Sequence, residues 1–148
     1  MLSVIQEQDF AAIRALIETS IRASVAQTDE DARFLIDDVV LSLDSWKQTG
    51  CAGLGIQYCV QDEVVGFIIV KNFWNLSHLF VLPAFQRRGV GRALVSAALS
   101  ECRPKSPKGK VQLNSSANAS PFYTAAGFVQ TGPGIERPGG CIPFEYTF

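Results

Sequence analysis

Between residues 86 and 94 the chain reads Gln86-Arg87-Arg88-Gly89-Val90-Gly91-Arg92-Ala93-Leu94, three arginines interleaved with two glycines. Glycine lets a backbone approach a ligand closely, and a helix start exposes unpaired N–H groups carrying partial positive charge. Phosphate binds readily at such an end, and Arg87, Arg88 and Arg92 would add full charges suited to a pyrophosphate. Two glycines alone fit equally a plain turn beneath a solvated basic face. Two known phosphate patterns can be tested directly. The dinucleotide fingerprint requires a small residue where Leu94 stands, and the acidic residue that follows, Glu101, lies inside the helix. The nucleoside-triphosphate loop requires Gly-Lys-Ser/Thr, which the chain lacks.

Other reactive groups are sparse. Cys51, Cys59, Cys102 and Cys141 are scattered without a C-x-x-C pair, and His78 is the single imidazole, which argues against a Cys/His zinc site. No metal is expected, and the cysteines read as reduced thiols of a cytoplasmic protein. None lies in a pattern for an acyl-enzyme.

These groups must be carried by a fold, and the hydrophobic pattern supplies one. Leu2–Gln6 alternates as a strand; Asp9 and Thr28 are placed to begin two helices, the second with an apolar stripe of Phe34, Leu35, Val39, Val40 and Leu43. The pattern breaks from Gly50 to Gly55. Strands follow at Ile56–Gln61 and Val64–Lys71, joined by Asp62-Glu63, then at Leu76–Leu82, stopped by Pro83. Gly89–Cys102 is a helix that ends ahead of Pro104. A basic loop from Arg103 to Lys110 leads to a strand at Val111–Leu113, a short helix near Ala117–Ala126 and a strand at Phe128–Gln130. Residues 131–141 form a Gly/Pro-rich loop before a last strand, Cys141–Phe148. This order predicts a mixed α/β (α+β) sheet in one domain covering residues 1–148.

Composition agrees. The 148 residues are 47% hydrophobic with a formal net charge of −1, enough for a buried core and against a general nucleic-acid coat. Apolar runs such as Phe67–Val70 fall far below the roughly 18–20 residues of a membrane span, and no signal peptide is apparent.

Leu79-Phe80-Val81-Leu82-Pro83 followed by Gln86-x-x-Gly89-x-Gly91 resembles the acyl-CoA-binding motif of the GNAT superfamily of N-acetyltransferases. Ala119-Ser120-Pro121-Phe122-Tyr123-Thr124-Ala125-Ala126-Gly127-Phe128 is similar to that family's second element, A-x-x-F/L-Y-x-x-x-G-F, in the expected order and separation. The resemblance covers essentially the whole chain. It implies a mostly antiparallel central sheet flanked by about four helices, with two strands splayed at the CoA site. It also implies acetyl-CoA as co-substrate and an amine acceptor, read as a small molecule, with no nucleic acid, no membrane and a homodimer left open. Backbone groups of Leu79, Phe80 and Val81 would bond the pantetheine arm, and Val81 N–H would hold the acyl carbonyl. The loop Arg87, Arg88, Gly89, Val90, Gly91 and Arg92 would cradle the pyrophosphate. Tyr123 matches the family tyrosine beside the CoA sulfur, where a phenol of pKa about 10 can donate a proton to the leaving thiolate. Many members carry Asn seven residues before that tyrosine; here Ser116 stands there.

The resemblance names no general base. His78 shares no parity with Leu79 and Val81, so it faces away from them unless a bulge intervenes. Acceptor sites of the family draw on the first two helices and the loop between the last two strands. Phe34, Trp46, Phe73, Trp74 and the loop Thr131–Cys141, with Glu136 and Arg137, are therefore candidates, each aromatic equally suited to packing. The basic stretch Arg103, Lys105, Lys108 and Lys110 reads as a solvated loop rather than a seat for the adenosine 3′-phosphate. The activity implied is direct acetyl transfer in a ternary complex. Its rivals are a noncatalytic CoA-binding module of the same fold and an enzyme acting on protein N-termini or lysines. Residues 1–63 carry eleven acidic and four basic side chains, residues 64–148 three and nine, so balances of −7 and +6 cancel in the total.

Overall fold

The computed structural model describes residues 1–25, 28–137 and 140–148. Seven strands form one sheet in the order β1-β2-β3-β4-β5-β7-β6, with β1 at Leu2–Val4, β2 at Gly53–Val60, β3 at Glu63–Lys71, β4 at Asn75–Val81, β5 at Lys110–Ser115, β6 at Val129–Gln130 and β7 at Ile142–Thr147. All neighbours are antiparallel except β4 and β5. Helices α1 (Phe10–Ser20) and α2 (Asp29–Gln48) cover one face; α3 (Val90–Cys102) and α4 (Ser120–Ala125) cover the other.

Each face closes its own core. Phe10, Ile13, Leu16, Ile17, Leu43 and Trp46 pack with Phe67 and Ile69 of β3 on the α1/α2 side. Ile68 and Val70, on the alternate positions of the same strand, meet Val90, Leu94, Val95 and Ala98 of α3 on the other. A strand buried on both faces loses the polar alternation of a surface strand, which is why Val64–Lys71 reads as a continuous apolar run.

Local chemistry explains where elements begin and end. Thr28 caps α2, its Oγ1 accepting from Asp31 N–H at 3.1 Å, as its position predicts. Asp9 is the N-cap residue of α1, as its position predicts, but its Oδ2 accepts from Gln6 N–H at 2.7 Å across the preceding 3-10 turn Glu7–Asp9 and not from α1 itself. Between α1 and α2 the helix widens into a π turn at Ile21–Val25. The β2–β3 hairpin turns at Gln61 and Asp62, both with positive φ, one residue earlier than the Asp62-Glu63 expected.

The expected break at Gly50–Gly55 is corrected: β2 already runs from Gly53. Its glycines mark close approach rather than a loop. A Cβ on Gly53 would stand 2.2 Å from the Val70 carbonyl oxygen, and one on Gly55 would stand 2.6 Å from the Trp46 ring. Trp46 therefore lies against bare backbone as a core residue, its indole N–H donating to the Ala52 carbonyl at 3.0 Å.

Candidate functional site

β4 and β5 form a fork. They share one register pair, Asn75 opposite Gln112, beside which Gln112 N–H donates to the Trp74 carbonyl at 2.7 Å. Beyond it β5 pairs only with β7, and β4 runs on from Leu76 to Val81 bonded only to β3. Leu82 N–H donates to Val65 C=O at 2.8 Å. Bonded pairs recur at every second residue of an antiparallel ladder, so Phe80, opposite Phe67, turns its backbone toward β3. Leu79 and Val81 turn theirs into the fork. This corrects the backbone role expected for Phe80, whose ring instead stacks on Phe67 at 5.8 Å between centroids.

The mouth of the fork is the start of α3. Arg87 and Gly89 both take left-handed backbone, at φ 61° and 84°. For a non-glycine residue that conformation costs about 1–2 kcal/mol, and such strain gathers at ligand sites. The first bond of the helix is Ala93 N–H to Gly89 C=O at 3.0 Å, so the amides of Val90, Gly91 and Arg92 have no partner within it. None of Arg87, Arg88 and Arg92 forms an ion pair among the described residues; Arg88 lies over the Phe85 ring at 5.5 Å. Unpaired amides and unneutralised guanidinium groups together have the chemistry of an anion seat. Gln86, a motif residue given no role of its own from the sequence, braces it: its Nε2 donates to the Val81 carbonyl at 3.1 Å, tying the loop to the end of β4. Its fixed place in the Gln-x-x-Gly pattern was the available signal. Ser20 Oγ, at the end of α1, stands 3.5 Å from the same oxygen.

Tyr123 lies beside this mouth. A Cβ on Gly91 would meet the Phe122 ring at 3.3 Å and the Val81 side chain at 3.9 Å, so the absence of one lets α4 press against the start of α3. The Tyr123 ring is 6% exposed, wedged among Phe122, Phe128 and Phe144. Its hydroxyl has no hydrogen-bond partner among the described residues. Burial pushes the phenol well above its ordinary pKa, which keeps it protonated. Ser116 shapes the approach to α4, its Oγ accepting from Ala119 N–H at 3.2 Å and its carbonyl accepting from Ser120 Oγ at 3.1 Å.

His78 faces the α1/α2 side, opposite Leu79 and Val81. It is 1% exposed between the Phe67 and Phe80 rings, with Nε2 at 3.0 Å from the Val39 carbonyl and Nδ1 at 2.6 Å from Ser77 Oγ. Burial lowers its pKa to about 4, so it is neutral at ordinary pH. Several acceptor candidates lie elsewhere. Phe73 and Trp74 turn the β3–β4 hairpin at the closed end of the fork, under Lys105 at 5.3 Å and Lys108 at 3.4 Å. Arg103 stacks on Phe148, and Lys110 pairs with Glu145 at 3.1 Å. The basic stretch is thus at the far end of α3 from the anion seat. Phe34 is half exposed on α2 and lies 5.9 Å beneath Arg137, which also pairs with Asp38 at 3.6 Å. Arg137 thereby ties the 131–141 loop to α2; Pro138 and Gly139 of that loop lie outside the described residues. The four cysteines are free, and burial pushes the Cys102 thiol up to about 11.

Comparison with known proteins fits this architecture. The family model of the acetyltransferase (GNAT) domain matches residues 39–144. The structure is similar to a GCN5-related N-acetyltransferase from Rhodopseudomonas palustris, with a TM-score of 0.85 at 19% identity over 100% of this chain and 95% of that one. It is similar also to the PaiA N-acetyltransferase of Thermoplasma acidophilum, solved in complex with coenzyme A, with a TM-score of 0.77 at 17% identity over 100% and 98% of the chains. A third likeness is to the ribosomal-protein-alanine N-acetyltransferase of Brucella melitensis, with a TM-score of 0.72 at 15% identity over 100% and 99%. At such identities these show a shared fold. No curated protein matches the chain in sequence. The chain belongs to the GNAT acetyltransferase family. Among the described residues no helix is long and apolar enough to cross a membrane.

Proposed function

We propose that the protein is an acetyl-CoA-dependent N-acetyltransferase that passes the acetyl group directly to an amine in a ternary complex, with residues 1–148 acting as one catalytic unit. The observation that carries this reading is the fork itself: a strand edge with free amides, an anion seat at its mouth and an unpartnered phenol beside it.

The residues fit the co-substrate in sequence from the mouth inward. The unpaired amides of Val90, Gly91 and Arg92, with Arg87, Arg88 and Arg92 around them, suit a pyrophosphate. An arm bearing two amide bonds then lies along β4 like an added strand and meets Val81 before Leu79. This order moves the expected role of Val81 inward: Val81 bonds the arm, and Leu79 N–H is the donor placed for the acyl carbonyl. An oriented backbone donor stabilises negative charge developing on that oxygen. Tyr123, held protonated by burial, donates to the departing thiolate. The raised thiol of Cys102 suits core packing rather than an acyl-enzyme step.

Free thiol release from acetyl-CoA, followed across a panel of primary amines and peptides with calorimetry of CoA alone, tests this reading. Tight CoA binding with amine-dependent release is expected. CoA binding with no acceptor turned over would make the chain a binding module. Absence of CoA binding would refute the assignment of the fork.

A further inference from the structure

β4 carries one residue too many. Ile69 faces His78 while its neighbour Val70 faces Leu76, leaving Ser77 as a bulge two residues past the last β4–β5 pair. The bulge sends Leu76 into the α3-side core and His78 into the α1/α2 side, although their spacing would put both on one face. It also brings Ser77 Oγ within 2.6 Å of His78 Nδ1.

The direction of that hydrogen bond is fixed by its surroundings. A backbone carbonyl only accepts, so His78 Nε2, 3.0 Å from the Val39 oxygen, must carry a proton. The ring is enclosed by Phe67 and Phe80, with Lys71 as the nearby charge and no carboxylate acting on it among the described residues, surroundings that hold it neutral. Nδ1 is therefore unprotonated, and the Ser77 hydroxyl must donate to it. What Ser77 then offers outward is lone pairs alone. No donor of the described residues is directed at them, and the side chain keeps partial exposure.

We propose that Ser77 is the receiving group for the acceptor's amino nitrogen: a hydroxyl made an obligate hydrogen-bond acceptor by His78 and Val39, at the inner end of the fork, selecting amines that present N–H. This rests on reading the fork as the acyl-CoA site. Ser77 stands one alternation deeper than Leu79, where the acyl carbonyl is placed, and on the face lined by α1 and α2 rather than by Tyr123. Ser77 touches the acceptor; His78 is a positioning residue that acts through it.

Three measurements on the folded chain test this. Nitrogen NMR of the single histidine should show neutral imidazole protonated at Nε2; protonation at Nδ1 would reverse the Ser77 hydroxyl and overturn the proposal. Ser77→Ala should leave the CoA dissociation constant within twofold while raising the amine KM about tenfold, as loss of one hydrogen bond to a charged donor implies. Ser77→Thr, which keeps the hydroxyl, should restore the KM. Unchanged amine KM in Ser77→Ala, with CoA binding and turnover intact, overturns the proposal and leaves the fork assignment standing. CoA binding without turnover of any amine in the panel removes the acceptor and the proposal with it. Loss of CoA binding in the unmodified chain strikes the fork assignment itself.

Discussion

Acidification should unfold this protein earlier than its carboxylates alone would predict, because of His78. The imidazole is buried, its folded pKa lies near 4 and its unfolded value is near 6.5. The unfolded chain therefore takes up a proton first as pH falls. The stability held by neutral His78 is fully present above the unfolded value, declines below it, and is fully lost once pH passes the folded value. Linkage over that interval gives a loss of about 2 kcal/mol by pH 5 and about 3 kcal/mol by pH 4, relative to neutrality. With a urea m-value of about 2 kcal/mol/M for a domain of this size, the midpoint should drop by about 1 M between pH 7 and pH 5. Urea unfolding at half-unit steps measures this, and NMR titration of the lone histidine reports the folded pKa directly. The carboxylates act in a lower window. Asp29, held down by its hydrogen bond to Arg22, and Glu145, held down by those to Lys110 and Gln112, lose their contributions only as pH falls below ordinary carboxyl values. A midpoint flat from pH 7 to pH 5, or a His78 titrating above 6, would refute the burial argument.

The remaining predictions concern the fork and the sheet. Tyr123→Phe should leave CoA binding near normal and lower kcat by about a hundredfold, at the lower end of general-acid contributions; full turnover would remove Tyr123 from the chemistry. Arg88→Gln and Arg92→Gln should each weaken CoA binding about two- to fivefold and flatten its salt dependence, as expected for exposed charges, by calorimetry at two ionic strengths. Gly89→Ala has open space for its Cβ but keeps φ at 84°, so it should cost about 1–2 kcal/mol by urea unfolding and loosen the anion seat. Gly53→Ala should be far worse, about 3 kcal/mol or more, because its Cβ would stand 2.2 Å from the Val70 oxygen at φ 107°.

The sequence showed most of what is governed by local chemistry. The stop at Pro83, the Thr28 cap, the α3 start at Gly89 and the two motif segments follow from residue types within a few positions of one another. What it hid was set by distant partners. Gly53 and Gly55 read as a break because nothing nearby reveals that Trp46 and the Val70 carbonyl will press against them. Leu76, His78 and Phe80 read as one alternating face, since a single extra residue in β4 leaves no mark on composition; it is visible only in the register with β3. Phe73 and Trp74 suggested an acceptor pocket, yet they serve as platforms for Lys105 and Lys108 from the far end of α3.

The cancelling charges of the two halves resolve in the same way. Of the nine basic residues after position 63, Lys110 pairs with Glu145, Arg137 with Asp38, Lys105 with Glu101, and Lys71 bonds to Ser42, while Arg103 and Lys108 stack on Phe148 and Trp74. Ion pairs therefore offset Lys105, Lys110 and Arg137, and of the six cations left without a carboxylate among the described residues Arg87, Arg88 and Arg92 gather at one helix start. In the acidic half Arg14 engages Asp44, Arg22 engages Glu18 and Asp29, and Lys47 engages Glu7. Half of the cations without a carboxylate partner thus stand together at the mouth of the fork, and Lys71, Arg103 and Lys108 carry the rest elsewhere. Three cations without ion pairs that repel one another at one helix start are unfavourable, and a polyanion seated there would offset that repulsion. Ligand binding should therefore stabilise the fold by more than at a neutral site, and the gain should shrink as salt rises; a CoA-induced shift in Tm that ignores ionic strength would contradict that origin.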